Sequence, residues 1–143
     1  VRLRALAALA IEAVGVASTA VELARRYVGE RKQFEKPIGA YQAVAHQVAD
    51  AYMVVELARS LAYWAAWCVD EDDAQAPVAA AAARASAGEA AMAACEKAIQ
   101  VHGGIGFTWE HVLHRYYRRA QWIATFEGAA ARHREVVAAT LLD

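Results

Sequence analysis

The 143-residue chain is 59% hydrophobic and 22% charged, with a formal net charge of −1. That balance excludes a disordered chain. It also removes the electrostatic case for a nucleic-acid partner, which needs a clear excess of lysine and arginine. Much of the apolar content is alanine, which favours helix and lets helices approach closely, so the composition points to an all-α bundle.

One domain is the expectation at this length. Cys68 and Cys95 lack a Cys-x-x-Cys spacing and read as small core residues, in keeping with a reducing, cytoplasmic setting. Glu, Arg, Lys or Asp interrupts every apolar run before it reaches the length of a membrane span. No signal peptide is visible. Helical periodicity starts at Val1, with no methionine and no N-cap before it, so the chain is expected to be a fragment of a longer one.

Apolar spacing predicts a first helix over about residues 1–28, with Leu3, Leu6, Ala10, Ala13, Ala17, Val21, Ala24 and Val28 on one stripe. A polar loop follows over residues 30–39, where Pro37 and Gly39 argue against a helical path. The second helix runs over about residues 42–69, with Val44, Val48, Tyr52, Val55, Ala58, Leu61, Ala65 and Cys68 inward. Asp70–Asp73 ends it as a solvated turn, in which Asp72 or Asp73 is placed to cap a third helix that carries Pro77 in its first turn. This third helix continues to about His102, with Val78, Ala82, Ala85, Met92, Cys95 and Ile99 inward. A fourth is predicted over about residues 111–123 and a shorter fifth over about 129–142. No stretch alternates apolar and polar residues with β-branched enrichment, so no strands are predicted and an up-and-down helical bundle is the expected architecture.

Three loci carry residues suited to chemistry. Gly103, Gly104 and Gly106 follow the third helix, where one glycine would suffice for a left-handed cap and three leave bare backbone for close approach. A tight interhelical turn accounts for them equally well. In the loop after the first helix, Arg31 offers a fork of donors suited to phosphate, Gln33 an amide, and Phe34 a face for an aromatic ring. Taken alone, such a loop is usually solvated surface. Glu127 lies in Thr125-Phe-Glu-Gly128, flanked by apolar residues, and a carboxylate in apolar surroundings moves toward the range useful to a general base. Helix capping is the structural alternative. His111 and His114 lack the His-Glu-x-x-His zinc pattern, and His46, His102 and His133 read as packing or surface residues. Arg115, Arg118 and Arg119 read as paired or solvated.

In order and across nearly the whole chain, these loci resemble one family. Glu30-Arg-Lys-Gln-Phe-Glu-Lys-Pro-Ile-Gly39 with Gln42, then Gln100-Val-His-Gly-Gly-Ile-Gly-Phe107, then Tyr117-Arg118 and Phe126-Glu127-Gly128 resemble the C-terminal helical domain of the acyl-CoA dehydrogenases. The resemblance implies a flavoenzyme that desaturates an acyl-CoA thioester between its α and β carbons and passes electrons to an electron-transfer acceptor. Arg31, Gln33, Phe34, Gln42, Gln100, Gly103 and Gly104 would contact the FAD held largely by a neighbouring subunit. Glu127 would take the α-proton, with Phe126 and Gly128 beside the substrate. A homodimer, a tetramer or a heteromer is implied, and the fragment by itself is expected to be inactive. Departures from the family pattern are Ala129–Ala131 where a threonine and polar residues are usual, Arg119 for an aspartate, and Glu35 for a glycine. Apolar Leu3 and Leu6 stand where some fatty-acyl members carry charges near the substrate. The alternatives are a non-catalytic partner subunit, an oxidase, and a helical oligomerisation module without chemistry.

Overall fold

A computed structural model describes residues 1–142. Its elements are α1 (Arg2–Glu30), β1 (Lys32–Gln33), β2 (Lys36–Pro37), α2 (Gln42–Asp70), α3 (Ala76–His102), α4 (Leu113–Thr125) and α5 (Ala130–Leu142). Short 3-10 turns occupy Ile38–Ala40 and Gly103–Phe107. The all-α bundle expected from composition is the observed architecture, and the predicted bounds of α1, α2, α4 and α5 and the predicted end of α3 fall within two residues of the observed ones.

Helix α3 is the centre. It packs on α1, α2, α4 and α5, and its alanines face all four: Ala79, Ala83, Ala87, Ala91 and Ala94 have no exposed surface. A helix buried on every side cannot show one apolar stripe, and small side chains let its neighbours come close. Helix α1 does show a stripe, and Leu6, Ala10, Ala13, Ala17, Val21, Ala24 and Val28 are buried as predicted. The chain reverses between α1 and α2, so that Arg59 of α2 reaches Ser18 at 2.8 Å. It reverses again into α3, and Lys97 pairs with Asp50 at 3.2 Å. Helix α4 is tied across the bundle by Arg119, which grips Glu12 of α1 at 2.6 and 2.8 Å.

Four expectations are corrected. First, residues 32–37 form a two-residue antiparallel ladder, with Lys32 opposite Pro37 and Gln33 opposite Lys36. Phe34 and Glu35 turn it with φ of 51° and 67°, the pattern of a two-residue hairpin loop that normally recruits Asn or Gly. A ladder this short has no periodicity to read. Second, Tyr52 faces outward at 56% exposure, together with Met53, Leu57, Tyr63 and Trp67. Helix α2 is apolar on two faces and this bundle covers only one, lined by Ala51, Val55, Ala58, Ala62, Ala65 and Cys68.

Third, α1 contains an 18-residue window of mean hydropathy 1.7, long and apolar enough by length and composition to cross a membrane. Glu12 is the only charge between Arg4 and Glu22, too few to interrupt the run. A core helix meets the same test, and α1 puts its apolar stripe against α2 and α3. Fourth, neither Asp72 nor Asp73 is the N-cap of α3. That position is Gln75, whose backbone N–H donates to Asp73 Oδ1 at 2.7 Å within the turn. Pro77 does sit in the first turn of α3. Cys68 and Cys95 are buried free thiols, as the core reading expects. Burial pushes the Cys95 thiol up to about 12, and Cys68 upward too, so both stay protonated.

Candidate functional site

Two regions at opposite ends of α1 hold the predicted residues. At its C-terminal end, a groove of about 620 Å³ brings together Arg31 and Gln33 of the hairpin with Gly103 and Gly104 of the turn after α3. These loci lie some seventy positions apart in the chain and meet because α1 and α3 run side by side and end together. Tyr27 and His102 join them in the wall. The two rings stack at 4.3 Å between centroids, and His111 tilts against His102 at 4.5 Å. His102 Nδ1 lies 2.7 Å from the carbonyl of Ala98, and burial lowers the imidazole's pKa, so this ring is neutral near pH 7. Charge at the groove comes from Arg31, whose guanidinium forms no ion pair among the described residues.

The three glycines of the turn divide by cause. Gly103 has φ 64° and ψ −139°, a backbone region closed to other residues and distinct from the left-handed helical cap expected there. Gly106 is buried, and a Cβ there would stand 2.5 Å from the Ile99 carbonyl oxygen. Gly104 has neither constraint: its φ is not positive, and an added Cβ would meet nothing within 4 Å. Nothing among the described residues accounts for its missing side chain, and it lines the groove. Phe34 stands out at the hairpin tip with 88% exposure, while Gln42 and Gln100 are exposed at the first turn of α2 and the last turn of α3. Those three residues do not line the groove.

At the other end of α1, Phe126, Glu127 and Gly128 form the turn between α4 and α5. Glu127 has φ 62° and Gly128 φ 106°, so two successive residues occupy the region that disfavours side chains. Glu127 is not enclosed by apolar groups, as its sequence neighbours led us to expect. Its side chain is 41% exposed and lies 3.5 Å from Arg2 of α1. Phe126, 43% exposed, stacks on Trp122 at 4.5 Å rather than covering the carboxylate. With α1 running about 43 Å at 1.5 Å per residue, the groove and this turn cannot serve one small molecule.

Sequence reasoning missed Arg84. It is 1% exposed in α3 and donates from Nη2 to the carbonyls of Ile123 and Phe126, the latter at 2.8 Å. Burial lowers its pKa from the ordinary arginine value, and the nearby Glu127 carboxylate opposes that shift. A lone arginine within an alanine run was the available signal.

The family model described as "Acyl-CoA dehydrogenase, C-terminal domain" matches residues 5–142. The chain belongs to the acyl-CoA dehydrogenase family. Among curated relatives of this acyl-CoA dehydrogenase domain, a probable acyl-CoA dehydrogenase (YngJ) of Bacillus subtilis is 39% identical over 134 residues, covering 94% of the chain and 35% of the relative. Butyryl-CoA dehydrogenase from Megasphaera elsdenii superposes with a TM-score of 0.91 at 33% identity, over 96% of this chain and 36% of that one. An FAD complex of PigA superposes with a TM-score of 0.85 at 28% identity, over 90% and 33% respectively. The chain therefore spans about a third of the length of the relatives it matches.

Proposed function

We propose that this domain works within a flavin-dependent dehydrogenase that converts an acyl-CoA thioester to its α,β-unsaturated form, with Glu127 as the α-proton base. The observation that carries the reading is the groove joining Arg31 to Gly104, because it offers a phosphate-seeking cation beside a backbone whose openness the described residues do not require. Its fit to FAD is good on those grounds. Arg31 suits the pyrophosphate, Gly104 permits close approach, and the Tyr27–His102 stack gives an aromatic wall. The PigA relative is an FAD complex, and butyryl-CoA dehydrogenase is named for this chemistry.

FAD, when bound, supplies the acceptor for a β-hydride, which no amino-acid side chain can be. The chain's own part is acid–base. The thioester acidifies the α-carbon, Glu127 takes that proton on a carboxylate oxygen, and the released C–H pair becomes the new π bond as the β-hydride departs. Glu127 is open to solvent in this domain and faces Arg2. Water must be excluded from it by the rest of the protein, so the isolated domain is read as inactive.

The separation of the two regions supports a flavin shared between subunits. The Arg31 end would hold the adenosine diphosphate part of a neighbour's FAD, while the Glu127 end faces the substrate on its own subunit's flavin. The outward face of α2, with Tyr52, Met53, Leu57, Tyr63 and Trp67 uncovered, is the kind of surface an oligomer buries. The test is Glu127→Gln in the full-length protein. Flavin reduction by a panel of straight-chain and branched acyl-CoA thioesters should fall at least about 1,000-fold with flavin content unchanged. Reduction at the wild-type rate would remove the base assignment.

A further inference from the structure

Glu127 is an exposed residue on a turn with two successive positive-φ residues, between two helices of thirteen residues each. Such a turn has little reason of its own to stay fixed. A reacting carboxylate must nonetheless be held to a fraction of an ångström, since a misplacement of about 1 Å costs roughly 100-fold in rate. Local contacts hold it at its ends and tip: the Phe126 N–H donates to the Trp122 carbonyl at 2.9 Å, the Gly128 N–H to the Thr125 carbonyl at 3.2 Å, and the exposed carboxylate lies 3.5 Å from Arg2. A further anchor comes from the centre of the bundle.

We infer that Arg84 is a positioning residue for the base, its buried guanidinium tying the Glu127 turn to α3 through the Ile123 and Phe126 carbonyls. This rests on the reading of Glu127 as the base. The geometry favours positioning over mere packing. One nitrogen, Nη2, serves both carbonyls, and these are the C-terminal end of α4 and the residue joined directly to Glu127. The first contact satisfies an otherwise orphaned helix-end carbonyl. The second fixes the peptide plane from which the base projects. Room for the guanidinium is provided by Gly88, one turn along α3, where an added Cβ would stand 3.4 Å from both Arg84 Nη1 and the Ala124 Cα.

An apolar side chain of similar reach would fill the same volume, bury more cheaply and leave no Nε without a partner, as Arg84 does. Retaining a cation here therefore needs a reason beyond core packing. His133 of α5 is buried nearby with its Nε2 unpartnered. Burial first, and then the charge of Arg84, lower its pKa, and its own backbone hydrogen bond is to Gly128, so it braces the far side of the turn while Arg84 holds the Phe126 carbonyl.

The test uses the full-length holoprotein and separates base placement from binding. A 3-thiaacyl-CoA has no β-hydrogen to lose, so exchange of its α-protons with D2O reports the base alone. Arg84→Met should slow both this exchange and flavin reduction by about 100-fold. Flavin content and the dissociation constant for the thia-thioester should stay within about threefold. Arg84→Lys, whose ammonium reaches toward the same carbonyls, should recover the rate to within about tenfold. Wild-type exchange in Arg84→Met overturns the inference, as does a loss confined to thioester affinity. Glu127→Gln run alongside distinguishes the two claims. Wild-type exchange there removes the base reading, whereas an inactive Glu127→Gln beside a fully active Arg84→Met removes only the role of Arg84. Should Arg84→Met not fold, the structure of the full-length holoprotein decides, and a guanidinium turned away from the Phe126 carbonyl overturns the inference.

Discussion

Replacing each glycine of the turn after α3 by alanine, one at a time, separates the demands of the fold from those of a ligand. Gly106→Ala drives a methyl group to 2.5 Å from the Ile99 carbonyl oxygen and 3.1 Å from the His102 Cβ. The first of these is backbone at the end of α3 and cannot turn aside. Overpacking of this kind costs about 2 kcal/mol, which lowers the melting temperature by roughly 4–8 °C for a domain of this size. Gly103→Ala meets no atom but forces a side chain into φ 64°, ψ −139°, at a cost of about 1–3 kcal/mol. Gly104→Ala meets neither obstacle and should change stability by less than about 0.5 kcal/mol. Thermal unfolding of the 143-residue chain, followed by circular dichroism at 222 nm, measures all three. In the full-length protein the order should invert at Gly104. A methyl group there stands in the path of the cofactor, and FAD affinity should fall about 10- to 100-fold, the equivalent of 1–3 kcal/mol of overpacking. If Gly104→Ala melts as early as Gly106→Ala, or binds FAD as tightly as wild type, the division of the glycines is wrong.

Two further outcomes follow from particular residues. Glu35 occupies φ 67° in the hairpin turn, where glycine is the natural occupant. Glu35→Gly should relieve about 1 kcal/mol net of the greater chain entropy of glycine, visible as slower exchange of the hairpin amides; faster exchange would contradict the strain. His102 and His133 are buried with pKa values lowered from 6.5, first by desolvation. As pH falls through 6.5 the unfolded chain takes up protons that the folded chain refuses, so stability present at pH 7.5 is lost progressively below 6.5. Melting temperatures of wild type and His133→Gln between pH 7.5 and 5.5 check this. The variant should show the shallower loss, and equal slopes would refute it.

Most of the bundle was legible because α1 and α2 each press at least one face on a core, and one face at helical spacing is what periodicity reports. The stripe from Leu6 to Val28 was read correctly for that reason. Tyr52 was misplaced because α2 carries apolar residues on a second face that this chain leaves bare, and spacing cannot say which face a bundle will cover. Flanking residues also misled at Glu127. Phe126 is its neighbour in sequence, but the ring turns to Trp122 and leaves the carboxylate open beside Arg2. The meeting of Arg31 with Gly104 was implied only by resemblance. It depends on α1 and α3 ending side by side, a tertiary fact no local pattern encodes. Arg84 went unseen because its worth lies in carbonyls about forty residues away.

The alanines of α3 carry a consequence for how this sequence can drift. Four helices meet α3 at positions where the side chain is a single methyl group with no exposed surface, as at Ala79, Ala83, Ala87, Ala91 and Ala94. Shrinking such a residue to glycine removes little more than about 1 kcal/mol. Enlarging it forces whole helices apart, because a close-packed interior leaves no room for the added atoms. Divergence in this helix is therefore one-sided. Its lineage can exchange small residues for one another but can scarcely grow a larger one, so tolerance to size along α3 would trace the gaps between helices, position by position.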